Sequence, residues 1–208
     1  FFTDAQREVQ DRAGSRPMAD RLEAVLVHDR LTAADAAFVA RQNMVFLATN
    51  DAHDQPQCSY KGGARGFVSV IDDETLAFPD YDGNGMHLSI GNIDDTRRVA
   101  LLFVDFEKQA RMRVLGRASA HERDALLASY PGASRIVRVH VDSVFSNCPR
   151  YVHKMQLVEE SAYVPTDGGG APDPSWKRLN AVADVLAPED RDLAGVDTDL
   201  NKTLNRDS

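Results

Sequence analysis

The chain has 208 residues, 43% hydrophobic and 27% charged, with a formal net charge of -8; this fits one folded core with appendages and excludes a disordered chain. A nucleic-acid binder needs a concentrated basic face, and neither the charge balance nor any Lys/Arg run supplies one. Cys58 and Cys148 are the only two cysteines, which is neither a disulfide framework nor a Cys-x-x-Cys metal knuckle, so a reducing cytoplasm is the expected location.

The first forty residues read as helices. Thr3 and Gln6 have capping-box spacing. Gly14 interrupts, and Met18, Leu22, Val25 and Leu26 then recur at helical intervals. Thr32 gives a second start signal, with Asp35 in the first turn to complement the helix dipole. The opening Phe1-Phe2-Thr3-Asp4 lacks the basic and apolar regions of a secretory signal, so none is expected there. It does not begin with Met, and the natural chain is expected to extend further upstream.

From Met44 the pattern changes to strands. Segments 44–49, 57–61, 66–71, 75–78, 98–106, 110–120 and 136–144 are rich in apolar and β-branched residues, separated by Gly, Pro, Asn and Asp. Seven strands suit a barrel. Val99–Val104, the longest apolar run, is far shorter than the roughly 18 residues of a membrane span. It is apolar on both faces, which predicts that a second copy of the chain covers one of them. In 110–120, Met112, Val114, Gly116 and Ala118 fall on one face and Arg111, Arg113 and Arg117 on the other. Residues 166–174 read as a flexible linker. Trp176, Leu179, Val182 and Leu186 then predict one more amphipathic helix, and a polar tail begins at Pro188. The expected division is a helical extension over 1–43, a barrel over 44–164, and linker, helix and tail over 165–208.

The six histidines (28, 53, 87, 121, 140 and 153) lack metal-ligand spacing, and neither a Gly-x-Ser-x-Gly elbow nor a Walker loop is present. No metal site is expected. The segment 82–92 (Asp-Gly-Asn-Gly-Met-His-Leu-Ser-Ile-Gly-Asn) places small residues just ahead of a candidate helix start, where free backbone N–H groups favour a phosphate. Lys61, Arg111 and Arg113 could add cationic partners. An ordinary glycine turn beside a solvent-facing basic strand explains the same residues.

A set of ordered motifs resembles a known family. They are Met44-Val-Phe-Leu-Ala-Thr-Asn-Asp51, Gln55-Pro-Gln57, Ser59-Tyr-Lys-Gly-Gly63 and Leu76-Ala-Phe-Pro79, then Arg98-Val-Ala-Leu-Leu-Phe103 and Arg111-Met-Arg-Val-Leu-Gly116. Their order is similar to that of the flavin mononucleotide (FMN)-binding split-barrel family of pyridoxamine 5′-phosphate oxidase. Tyr81–Met86, Asn147–Tyr151, Ala19–Leu22 and Trp176–Arg178 further resemble a bacterial subgroup of oxidase-related flavin-nucleotide-binding proteins. The resemblance implies a mainly β fold with flanking helices, an antiparallel split β-barrel of FMN-binding type, and a homodimer with flavin at its interface. It further implies a flavin oxidoreductase acting on a small molecule; the charge balance and short apolar runs add the expectation of neither nucleic acid nor membrane as a partner.

Carried over by residue, Ser59, Tyr60 and Lys61 line the phosphate and ring edge, and Phe78 and Pro79 fall on the next flavin-contacting strand end. Asn84, Gly85 and Met86 stand where the oxidases have a charged Arg-Lys clamp, so phosphate is expected to lean on backbone N–H groups, Lys61 or an arginine elsewhere. Arg111 aligns with a polar flavin contact, and Asn147 to Arg150 fall near the flavin. The oxidases' later Arg-x-His pair is missing after Trp176-Lys-Arg178, which leaves the substrate open. Two other readings fit the same resemblance: a flavin carrier or sensor without turnover, and a deazaflavin- or haem-binding barrel, with His87, His140 and His153 as candidate haem ligands.

Overall fold

A computed structural model describes residues 1–165, 171–193 and 195. They belong to two compact units, Phe1–Gly169 and Gly170–Ser208. The glycine-rich part of the predicted linker (166–170) and the tail at 194 and 196–208 lie outside the described residues.

Three helices come first: α1 (Asp4–Arg12), α2 (Arg16–Leu26) and α3 (Ala33–Val39). The capping box at α1 forms as its spacing predicts, with Gln6 N donating to Thr3 Oγ1 and Thr3 N donating to Gln6 Oε1. Thr32 and Asp35 make the same reciprocal pair at α3, so Asp35 satisfies an amide as well as the dipole. Asp35 also meets His28 Nε2 at 2.8 Å. His28 exchanges backbone hydrogen bonds with Val144, which ties this extension to the sheet.

Seven strands follow: β1 (Met44–Asn50), β2 (Pro56–Gly62), β3 (Ser69–Val70), β4 (Thr75–Tyr81), β5 (Arg98–Asp105), β6 (Ala110–His121) and β7 (Ala133–Ser146). The helix α4 (Leu88–Thr96) sits between β4 and β5 in the chain. Every pairing is antiparallel, in the order β2-β1-β5-β6-β7-β4-β3. Alternation sets the inside: Val45, Leu47 and Thr49 of β1 are buried while Met44, Phe46 and Ala48 are half-buried. Phe78, Leu101, Phe103, Val114 and Val139 fill the core, and α4 adds Ile90 and Ile93. Asn92 Nδ2 donates to Thr49 Oγ1 at 3.0 Å, pairing two buried polar groups. The sheet curls so that strands far apart in its order meet through side chains, Lys61 of β2 with Asp80 of β4 and Ser59 of β2 with Ser89 of α4. The fold is an antiparallel split barrel with flanking helices.

Two expectations change. The predicted strand over 66–71 shrinks to two residues because Gly66, at φ +82°, and Phe67 are held in a turn, with Gly66 N donating to Gln42 O and Phe67 N to Ala64 O. The predicted amphipathic helix around Trp176–Leu186 is instead a pair of 3₁₀ turns, Ser175–Arg178 and Asn180–Val182. Leu179 N donates to Trp176 O and Val182 N to Leu179 O; three-residue spacing suits that tighter winding as well as it suits an α-helix. In β5, Val99, Leu101 and Phe103 are buried inside, but Ala100 and Leu102 on the outer face are only half covered within one chain.

A short 3₁₀ turn, Ala125–Ser129, joins β6 to β7. Its cap, Asp124, accepts from Arg138 Nε at 2.6 Å and Nη2 at 3.0 Å, and from Leu126 N at 2.9 Å. The Arg138 guanidinium, followed by the Leu126 amide, holds the Asp124 carboxyl down at about 2. A carboxyl lowered by folding stabilises the fold fully above its unfolded value of about 4, and that contribution disappears as pH falls through the folded value. Asp124→Asn is therefore expected to cost up to about 2 kcal/mol near neutrality, a difference that shrinks between about pH 4 and about pH 2. Urea unfolding of both proteins across that range measures it.

Candidate functional site

Ser59 and Lys61 sit opposite Leu47 and Val45 on β1, so both side chains take the inner face of the sheet near one end of the barrel. Asp80 shares that inner face of β4 with Phe78 and is 7% exposed. Its Oδ1 lies 3.4 Å from Lys61 Nζ, and its Oδ2 lies 3.3 Å from Nη1 of Arg135, its cross-strand neighbour on β7. The β4–β7 register shifts immediately afterwards, between Asp80 and Tyr81, where the chain leaves the sheet. Burial pushes the Tyr81 phenol up.

The loop from Tyr81 to α4 is shaped by local chemistry. Asn84 Oδ1 accepts from Met86 N at 3.1 Å, an Asx turn. Gly85 and His87 take left-handed backbone, at φ +76° and +47°, and turn the chain into α4. His87 occupies the N-cap without a side-chain cap. Amides in the first turn of a helix have no intrahelical acceptor, so this start can receive an anion. Between loop and strands lies a cavity of about 200 Å³, lined by Ser59, Lys61, Asp80, Gly85, His87 and Ser89 among others.

The structure thus brings together five predicted residues: Ser59, Lys61, Asn84, Gly85 and Met86. The others lie elsewhere. Tyr60 points to the outer face, 61% exposed, with its ring against Phe46 at 6.1 Å. Phe78 is wholly buried in the core, so only its backbone could meet a ligand. Pro79 is buried on the opposite face of β4, paired with Ile136. Arg111 and Arg113 stand opposite Val104 and Leu102, and Leu102 in turn stands opposite Phe46 and hence Tyr60, which puts both arginines on the outer face. Arg113 donates to Asn147 Oδ1 and lies over the Phe145 ring. Arg111 Nε is buried without a partner among the described residues. Arg150 is exposed in the turn after β7, and His140 and His153 are exposed away from the cavity. Sequence reasoning missed Asp80, and named Ser89 only as part of the segment 82–92. A carboxylate closing the apolar run Leu76-Ala-Phe-Pro79 was a visible signal for Asp80.

Chemically, the cavity offers a cation, hydroxyls and a helix start, which suits an anionic group. Among the described residues no group of three or more His, Cys, Asp or Glu is placed to hold a metal ion, and no helix is long and apolar enough to cross a membrane.

A rolled antiparallel sheet with a polar cavity at its seam defines a split barrel. Residues 31–159 match the family model of pyridoxamine 5'-phosphate oxidase, and the chain belongs to that family. No curated protein matches the sequence. Solved structures similar to it include HupZ of Group A Streptococcus, at 19% identity and a TM-score of 0.47, covering 61% of this chain and 100% of that one. An FMN-binding protein from Syntrophomonas wolfei has 12% identity and a TM-score of 0.41, covering 68% and 96%. The haem storage protein HutZ from Vibrio cholerae has 17% identity and a TM-score of 0.41, covering 56% and 94%.

Proposed function

We propose that the protein is a cytoplasmic FMN-dependent oxidoreductase that acts as a homodimer on a small-molecule substrate. The observation that carries this reading is the joint placement of Lys61, Ser59 and the uncapped start of α4 around one cavity. At about 200 Å³ the cavity is smaller than an ordinary small-molecule pocket of about 300–1,000 Å³. It therefore suits the phosphate end of a nucleotide, with the ring system outside it. Lys61 and the amides at the start of α4 would hold the phosphate, and Ser59 could meet the adjoining hydroxylated chain. FMN, when bound, supplies the hydride or electron chemistry, which fits a site without a nucleophile–base pair.

The dimer is supported by the outer face of the sheet. Phe46, Tyr60, Ala100 and Leu102 leave apolar surface there beside Arg111 and Arg113. Those arginines cannot turn to the cavity of their own chain. In a second copy packed on this face they would approach a flavin from outside.

Lys61→Ala tests the reading. Loss of a charge-assisted contact to phosphate is expected to weaken FMN by about 1.5–3 kcal/mol, roughly tenfold to over a hundredfold, while riboflavin is little affected. Fluorescence titration of both flavins measures the difference, and equal losses would assign Lys61 a structural role. Bleaching of the bound flavin by a nicotinamide cofactor, with recovery in air, distinguishes an oxidoreductase from a carrier.

A further inference from the structure

We infer that Asp80 and Arg135 set how strongly the cavity holds an anion, by controlling how easily Lys61 leaves its carboxylate partner. The inference rests on the proposed role of Lys61 at the phosphate. Asp80 is buried, and a buried carboxylate left without a partner is costly. It has two partners, Lys61 at 3.4 Å and Arg135 at 3.3 Å. Both distances exceed the about 2.7–2.9 Å of a strong charge-assisted hydrogen bond, so Lys61 can leave Asp80 without breaking a short bond.

The two cations differ in place. Lys61 lines the cavity and Arg135 does not. Arg135 is fixed behind Asp80 by direct cross-strand pairing. Its other contact, Glu122 at 3.4 Å, is 73% exposed and hence weak. An incoming phosphate can therefore draw the Lys61 ammonium away while Asp80 keeps Arg135. Asp80 opposes the anion by competing for Lys61 and by its own charge. Arg135 favours the anion by letting Lys61 go, and is a positioning residue that acts through Asp80. A cavity built this way holds its phosphate less tightly than Lys61 alone would, which suits an exchangeable nucleotide.

Asp80→Asn keeps the shape and an oxygen for Lys61 but removes the charge. It is expected to tighten FMN by roughly tenfold, the scale of one charge felt across a few ångströms of partly screened protein, and to leave riboflavin unchanged. Arg135→Gln is expected to weaken FMN by about as much, again without touching riboflavin, and to do little in the Asp80→Asn background. Inorganic phosphate, titrated against the Lys61 ammonium signal in nitrogen NMR, should follow the same signs. Weaker FMN in Asp80→Asn, an unchanged FMN affinity in a folded Arg135→Gln, or an undiminished Arg135→Gln loss in the double variant would overturn the inference. If Asp80→Asn fails to fold, Arg135→Gln decides alone. If the native protein binds neither flavin while phosphate follows the expected signs, the cofactor reading fails and the inference stands; if phosphate does not follow them, the inference fails.

Discussion

Gly116→Val is expected to leave little folded protein. Gly116 lies where β6 crosses β7, and a Cβ there would stand 2.2 Å from His140 O, 3.1 Å from the carbonyl carbon and 3.1 Å from Val139 Cγ1. The first two are backbone atoms that cannot rotate away. The register shifts at this point: Leu115 pairs with Ser143 and Gly116 with Val141, which leaves Asp142 as the extra residue of a bulge on β7. Admitting a side chain would part β6 from β7 between Val114, Ala118, Val139 and Val141, all buried. Overpacking of this kind against fixed backbone is expected to cost more than about 3 kcal/mol, a large share of the about 5–15 kcal/mol that holds an ordinary domain together. Gly91→Ala is the control. Gly91 lies inside α4 with nothing within 4 Å of a built Cβ, so this change should stabilise by roughly 0.5–1 kcal/mol. Circular dichroism and urea unfolding of the two variants test the pair.

That glycine shows where sequence reading reached its limit. Alternation placed Gly116 on the same face as Met112 and Val114, and the structure agrees. The reason for glycine there depends on a carbonyl of β7 more than twenty positions away, which local pattern cannot reveal. Signals that act within a few residues were legible: the Thr3 and Thr32 caps, the start of β4 at Thr75, and a helix opening within 82–92. At the candidate site, the ordered motifs singled out Ser59, Lys61 and the loop at 84–86, which do surround one cavity. The same motifs also gave Tyr60, Arg111 and Arg113, which face the other way. Deciding that requires the register across β2, β1, β5 and β6, since a side chain's face follows from its partner's. Asp80 went unnoticed because its partners are distant in sequence: Arg135 reaches it through the β4–β7 pairing, and Lys61 only when the sheet curls.

Gly85→Val is expected to abolish the preference for FMN while leaving the barrel intact. Sequence reasoning placed Gly85 in a loop whose backbone N–H groups were expected to meet a phosphate. The structure adds a conformational reason, because φ is +76° and a β-branched residue is a rare outlier there. No protein atom lies within 4 Å of a Cβ built at Gly85. The cost therefore falls on the shape of the loop and on whatever occupies the cavity, not on core packing. Forcing valine into this turn should cost on the order of 1–3 kcal/mol locally, which the loop can relieve only by moving its amides away from the phosphate position. FMN should then bind no better than riboflavin, with an unchanged far-ultraviolet spectrum, because Asn84, Gly85 and Met86 are exposed and outside the core. Gly85→Ala should fall between the two. His87→Ala should change FMN affinity by less than about threefold, since its ring makes no cap and the amides at the start of α4 carry the contact. The reverse pattern, with Gly85→Val harmless and His87→Ala crippling, would move the anion from the loop amides to the imidazole. His87 would then become the direct ligand contact of this cavity, and the part assigned to the start of α4 would be lost.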